Sequence, residues 1–227
     1  MVVRLSIIVP VLNEAAHLPE ILAQLLVYQQ RACEILLVDG GSQDDTVAIA
    51  RSAGFKVLMS ERGRAAQMNQ GAQAANGEIL LFLHADTQLP DQADQIIFKA
   101  IEDDLRHWGR FNVRIAGTSK MLKVIAMMMN IRSAWSGIAT GDQAIFVRRQ
   151  VFQGMGGFPQ QALMEDIEFS KRIKAKSRPI CLYQKVITSG RRWENNGVWR
   201  TIFLMWGLRS AYFLGADPEK LAKLYHR

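Results

Sequence analysis

The 227-residue sequence predicts an α/β fold, a mostly parallel central sheet flanked by helices. Three observations lead there. Short apolar runs alternate with segments of helical periodicity through the first half of the chain. Apolar residues make up 49% of the composition, enough for a sizeable core, and charged residues 22%. No internal repeat, low-complexity tract or long linker divides the chain, and its length suits one domain at roughly 100–200 residues per domain.

Residues 5–9 form the first apolar run, ending at Pro10, and residues 34–38 the second, ending at Asp39. Residues 55–59 and 78–83 complete the series as strands buried on both faces. Between them, residues 14–29, 44–53 and 64–75 read as helices, which makes βαβ units. Ser42 or Asp44 is placed to cap the second helix, and Gly54 to close it. The second half is less regular. Residues 91–105 read as a helix, 108–115 as a strand, and the Met-rich 118–131 as a core-packing helix. Residues 144–147 read as a short strand, 154–159 as a turn-rich stretch and 165–176 as a helix. Residues 188–194 read as a flexible Gly-flanked segment. The last helix, 198–214, carries Arg200 and Arg209 on opposite sides, which favours packing over a membrane-surface amphipath.

This composition excludes intrinsic disorder and disulfide-stapled miniature folds. Cys33 and Cys181 lie far apart without metal-like spacing and read as packing thiols of a reducing compartment. The N-terminus shows no signal-peptide pattern, and no run of about 18 apolar residues occurs, so a cytoplasmic location is expected. The net charge of +7 is unevenly placed: residues 171–227 hold 13 Lys/Arg against 3 Asp/Glu, whereas residues 1–170 hold 15 against 18. A basic C-terminal quarter suits an anionic partner, with an ordinary solvated surface as the even alternative. No P-loop and no G-x-G-x-x-G is present. The histidines (17, 84, 107 and 226) show no H-E-x-x-H pattern.

In an open parallel sheet, ligands collect outside the carboxyl ends of the strands. There the sequence places Pro10, Asn13 and Glu14, then Asp39 to Ser42, then Glu61-Arg-Gly-Arg64, then His84-Ala-Asp86. Acids and arginines on one edge suit a nucleotide diphosphate with a divalent cation. His84 and Asp86, two apart on an extended segment, are able to face one ion; a packed histidine beside a capping aspartate is the alternative. Glu165, Asp166 and Glu168 either complement a helix N-terminus or supply a general base. Arg191, Arg192 and Trp193 suit phosphate contact and stacking.

The ordered set of segments resembles glycosyltransferase family 2, inverting nucleotide-sugar-dependent enzymes of the GT-A fold, in a compact soluble bacterial subgroup. The resemblance is carried by Ser6-Ile-Ile-Val-Pro-Val-Leu-Asn-Glu14, Ile35-Leu-Leu-Val-Asp-Gly-Gly-Ser42 and Gly63-Arg-Ala-Ala-Gln-Met-Asn-Gln-Gly71. It continues through Ala75 to Asp86, Gly141-Asp-Gln143 and Glu165-Asp166, covering about residues 4–176. It implies one glycosyltransferase domain over residues 1–227: a nucleotide-binding half (about 1–90), an acceptor-side half (91–190) and a C-terminal helical extension (191–227). It also implies that Pro10, Asn13 and Glu14 line the nucleoside and that Asp39 contacts the base. Arg64, Arg192 and Trp193 would bind the rest of the donor. Asp86 would hold Mn²⁺ or Mg²⁺, with His84 standing where the family has a second aspartate, and Asp166 would be the general base. The implied partners are a nucleotide-diphosphate sugar and an acceptor, small or lipid-linked. No nucleic acid is expected, and weak peripheral contact through the basic C-terminal region would place the protein at the inner membrane face. The alternative is a non-catalytic nucleotide-sugar or lipid-phosphate binding protein with a degenerate metal site.

Overall fold

The computed structural model describes residues 3–103 and 105–225; His226 and Asp104, both within segments considered above, lie outside them. Strands β1 (Leu5–Val11), β2 (Glu34–Asp39), β3 (Lys56–Met59), β4 (Ile79–Phe82), β5 (Thr87–Gln88), β6 (Trp108–Ala116), β7 (Ile145–Arg148) and β8 (Ile180–Ser189) form one sheet, ordered β3-β2-β1-β4-β7-β6-β8-β5. Strands β1 to β4 pair in parallel; β7 is antiparallel to β4 and β6, β8 parallel to β6, and β5 antiparallel to β8. The helices are α1 (Leu18–Gln30), α2 (Thr46–Ser52), α3 (Arg64–Ala74), α4 (Ala93–Glu102), α5 (Met121–Ser136), α6 (Arg149–Gly154), α7 (Glu165–Ile173), α8 (Arg191–Asn196), α9 (Val198–Phe213) and α10 (Pro218–Tyr225).

Strands β1, β2 and β4 bury both faces, since successive side chains alternate and helices cover each side; β3, expected to be buried as well, is the sheet's edge and leaves Lys56 and Met59 exposed. Ile7, Ile35 and Leu81 are in register and point into a core shared with α1, α4 and α5. Their neighbours Ile8, Leu36 and Phe82 point the other way, into a core shared with α3, α6 and α7. Within the second core Phe82, Phe152, Phe158 and Phe169 make ring pairs at 4.7–5.5 Å. Each such pair contributes about 0.5–1.5 kcal/mol beyond its burial. The cluster ties the turn after α6, through Phe158, to α7 and so fixes where α7 begins.

Several expectations change. Helix α1 starts at Leu18, because Pro19 lacks an N–H and is tolerated only in a first turn; residues 14–17 form a turn whose Glu14 carbonyl accepts from His17 and Leu18 at 2.9 Å. Strand β8 escapes the sequence reading because polar residues interrupt it. A register shift between Phe111 and Asn112 leaves Tyr183 and Gln184 of β8 unpaired with β6. The segment 188–194 is the end of β8 followed by α8, not a loose loop. Glu194 of α8 accepts from the Thr118 N–H and hydroxyl at 2.7 and 2.8 Å, and a Cβ on Gly190 would lie 2.0 Å from the Ala116 carbonyl oxygen, so the chain is pressed against β6. Helices α5 and α9 pack on one side only. Leu122, Ile125 and Ala126 of α5 and Thr201 and Leu208 of α9 are buried, while Met127, Met128, Ile131, Trp199, Phe203, Trp206 and Phe213 are exposed. Both cysteines are free; Cys33 is buried, and burial pushes its thiol up to about 12. Among the described residues no helix is long and apolar enough to cross a membrane.

Candidate active site

The polar residues at the strand ends surround a cleft of two adjoining cavities. The first, about 300 Å³, is lined by Pro10, Glu14, Arg64, His84, Asp86 and Glu165 among others. The second, about 230 Å³, shares Arg64, His84, Asp86 and Glu165 and adds Asp142, Asp166, Arg192 and Trp193. The floor is held by Gln67, whose Nε2 donates to the Val11 and Val38 carbonyls at 2.9 and 2.8 Å, clamping the ends of β1 and β2 together.

Asp166 stands in the first turn of α7. Its Oδ2 accepts from the Gly141 N–H and its Oδ1 from the Ile167 N–H, both at 2.7 Å. Gly141 belongs to a 3₁₀ turn, Gly141–Gln143, which carries Asp142 into the same cavity. The His84 Nδ1 lies 3.4 Å from the Asp142 Oδ1, and its ring packs so closely on Gly141 that a Cβ there would meet Nε2 at 2.3 Å. Two non-glycine residues beside these acids adopt left-handed backbone: Met164, φ +66°, caps α7, and Ala144, φ +47°, ends the 3₁₀ turn. Such positions cost of order 1–3 kcal/mol each and persist only where their surroundings impose them.

The charges in the cleft are strongly interdependent. Burial raises the Asp166 carboxyl above the usual aspartate range; the two backbone N–H bonds oppose this, and the nearby Asp142 charge adds to it. Burial and the Asp166 charge push Glu165 up to about 7, against the pull of Arg64. For Asp142 the balance is reversed: burial opposes its charge, but His84, Arg64 and Arg132 hold its carboxyl below the usual range. Desolvation works against the Arg64 charge, and Tyr225, Glu165, Asp142 and Asp166 outweigh it, so the guanidinium is held above its ordinary value. Burial raises Glu14, opposed by Arg191 and reinforced by Asp86.

The structure brings most of the sequence-predicted residues to this cleft, but not all. Asp39 is fully buried and its Oδ2 accepts from the Gly41 and Ser42 N–H groups at 2.8 and 2.9 Å, so its carboxylate organises the loop after β2. Asn13 ties the loops after β1 and β2 together, its N–H donating to Ser42 Oγ at 2.9 Å and its Oδ1 accepting from the Gln43 N–H at 2.8 Å. Arg192 donates to the Tyr225 carbonyl at 2.6 Å and stacks 3.5 Å from that ring's centroid. Trp193 faces the second cavity and a neighbouring apolar groove. Asp142 and Arg132 received no role from the sequence; the visible signal was Gly141-Asp-Gln143 as a segment, and Arg132 had none.

Residues 6–169 match the model of the family described as "Glycosyl transferase family 2". The chain belongs to glycosyl transferase family 2. This glycosyltransferase is 28% identical over 215 residues to a PGL/p-HBAD biosynthesis glycosyltransferase of Mycobacterium bovis, covering 87% of this chain and 79% of that one. Its fold is similar to the mannosyltransferase PcManGT of Pyrobaculum calidifontis in complex with GDP-Man and Mn²⁺, with a TM-score of 0.64 and 19% identity over 98% of this chain and 68% of that one. It is also similar to S. aureus TarS 1-349 in complex with UDP, with a TM-score of 0.67 and 19% identity over 82% of this chain. The glycosyltransferase spans 60% of that TarS chain.

Among the described residues no group of three His, Cys, Asp or Glu side chains converges on one point. A magnesium-type cation does not need one, since one or two carboxylates plus substrate phosphates commonly hold it. Asp86 meets that requirement: its carboxylate borders both cavities. The imidazole of His84 borders both cavities beside Asp86, with its Nδ1 turned to Asp142 and its ring packed on Gly141.

Proposed function

We propose that this glycosyltransferase moves a sugar from a nucleotide-diphosphate sugar to an acceptor hydroxyl by a single inverting displacement, with Asp166 as general base. The observation that carries the reading is the placement of Asp166 in one cavity with Asp86 and Arg64, its carboxylate oriented by two backbone N–H groups. Two such bonds leave each oxygen a further lone pair for an acceptor hydroxyl, and the raised pKa makes this carboxylate a stronger base than an ordinary aspartate. Asp142, held ionised by His84, Arg64 and Arg132, would orient the acceptor by accepting its hydrogen bonds. Arg64, with Arg192 in the same cavity, would stabilise the charge that develops on the departing diphosphate. Asp86 would hold a divalent cation of the Mg²⁺ or Mn²⁺ type, which when bound supplies Lewis-acid neutralisation of that diphosphate. The GDP-Man and Mn²⁺ of the PcManGT complex and the UDP of the TarS complex support a nucleotide-sugar donor and a divalent cation.

Thermal shift against a panel of UDP-, GDP- and TDP-sugars, with and without Mn²⁺, tests the donor assignment. A donor at 100 times its Kd adds about 2.7 kcal/mol to stability. No shift with any member would count against the reading. Shifts without hydrolysis or transfer would favour the non-catalytic binding alternative, and the anomeric configuration of the product tests inversion.

A further inference from the structure

Between α5 and α9 runs an open groove of about 510 Å³, larger than either cavity of the cleft. Its walls are apolar: Val124 and Met128 from one helix, Ile202, Trp206 and Phe213 from the other. Met128, Trp206 and Phe213 are 50%, 56% and 61% exposed, although side chains of this kind are normally buried against something. The methionines add an adaptable surface suited to a flexible apolar ligand.

Two features connect this groove to the chemistry. It is continuous with the acidic cavity, because Asp142, Trp193 and Arg209 border both. At the junction, Arg132 Nε and Nη2 and Arg209 Nε are buried with no hydrogen-bond partner among the described residues. Buried donors left unmet are costly, and guanidinium groups match phosphate or carboxylate oxygens. The groove is therefore apolar along its length and, where it meets the cleft, offers the unmet guanidinium donors of Arg132 and Arg209 beside the single carboxylate of Asp142.

We propose that the acceptor is an amphiphile: an apolar chain seated between α5 and α9, and an anionic head at Arg132 and Arg209 that presents its hydroxyl to Asp166. The proposal rests on the transferase reading and specifies its acceptor class. A concave slot opening directly on the cleft fits an extended chain better than a flat bilayer surface or a second copy of the protein.

The test uses calorimetry on the full chain with dodecyl phosphate below its micelle concentration. Inorganic phosphate serves as the head-only probe, and dodecyl maltoside as the same chain with an uncharged head. Saturable binding of dodecyl phosphate, at least tenfold tighter than either control, is expected. Met128→Glu and Trp206→Glu, both at exposed positions, should each weaken it at least tenfold while nucleotide-sugar affinity stays unchanged. Arg132→Gln should weaken dodecyl phosphate but not dodecyl maltoside. Absence of binding in the wild type, or equal binding in the groove variants, would overturn the proposal. So would sedimentation showing a dimer that Met128→Glu dissociates, or binding only to vesicles of anionic lipid. Nucleotide-sugar binding without dodecyl phosphate binding would sink the acceptor assignment alone; the converse would sink the transferase reading and leave the groove.

Discussion

Replacing Asp166 by asparagine separates a catalytic from a merely structural carboxylate. Asparagine keeps the shape and one carbonyl oxygen, but the native side chain accepts two backbone N–H bonds, from Gly141 and Ile167. One of those donors would face an amide NH₂ and go unmet, at a cost of about 1–3 kcal/mol. Loss of a negative charge beside Asp142 and Glu165 works in the opposite direction, since like charges on these acids disfavour one another. For a domain of this size 1 kcal/mol corresponds to about 2–4 °C, so Tm should fall by no more than about 10 °C. Turnover should fall far more, by about 10²–10⁴-fold, because an amide cannot take the acceptor proton. Donor affinity should be kept, since the proposed role of this carboxylate is toward the acceptor hydroxyl and not the diphosphate. In the wild type the acid limb of the kcat/KM profile should lie above the ordinary aspartate range, with activity falling as Asp166 is protonated, and the variant should lack it. The assay is steady-state transfer with calorimetric donor binding on the same preparation. Near-normal turnover with a lowered Tm would refute the general-base assignment.

Other outcomes follow from the same cleft. Asp86→Ala should abolish the Mn²⁺-dependent part of donor affinity, and chelation of the wild type should reproduce it; calorimetry showing the same metal dependence in both proteins would count against Asp86 as the ligand. Glu165 has a folded pKa raised to about 7, so the stability tied to its protonation is present below the unfolded value near 4.5 and is lost as pH rises through about 7. Glu165→Gln should therefore leave Tm unchanged at pH 4 and raise it at pH 8; a Tm difference independent of pH would contradict this. Gly141→Ala would place a Cβ 2.3 Å from His84 Nε2 and force the ring off Asp142. It should cost activity at least tenfold with donor affinity retained, and unchanged activity would show that the His84 position does not matter.

The sheet was legible in the sequence wherever burial was symmetric. The runs that became β1, β2 and β4 are apolar on both faces because helices cover both, and their short length, β-branched content and bounding turn residues separate them from buried helix segments. Legibility failed where the polypeptide depends on partners distant in sequence. Strand β8 is held by pairing with β6 about 70 residues away, and its exposed Tyr183 and Lys185 break the alternation a reader relies on. Helix α9 packs as read, through Ile202, Leu204, Met205 and Leu208, but leaves Trp199, Phe203, Trp206 and Phe213 exposed, a division its nearly all-apolar sequence does not reveal.

The candidate site divides along the same line. Residues that follow strands, such as Glu14, Arg64 and Asp86, were readable because the topology of a parallel sheet sends every such loop to one edge. Asp39 and Asn13 follow the same rule, yet their side chains are spent on holding the loops, a distinction decided by hydrogen bonds that no spacing reveals. The pairing of His84 with Asp142 and of Asp166 with Gly141 joins segments that are separate in the chain. It is accompanied by left-handed backbone at Met164 and Ala144 and by three carboxylates, Asp142, Glu165 and Asp166, that line one cavity. Each of these is unfavourable for folding alone, and each would be relieved by an ordinary substitution. A fold that keeps them together, with arginines whose donors are unmet beside the same cavity, is what the proposed reaction requires: an anionic donor on one side of Asp166 and an acceptor on the other.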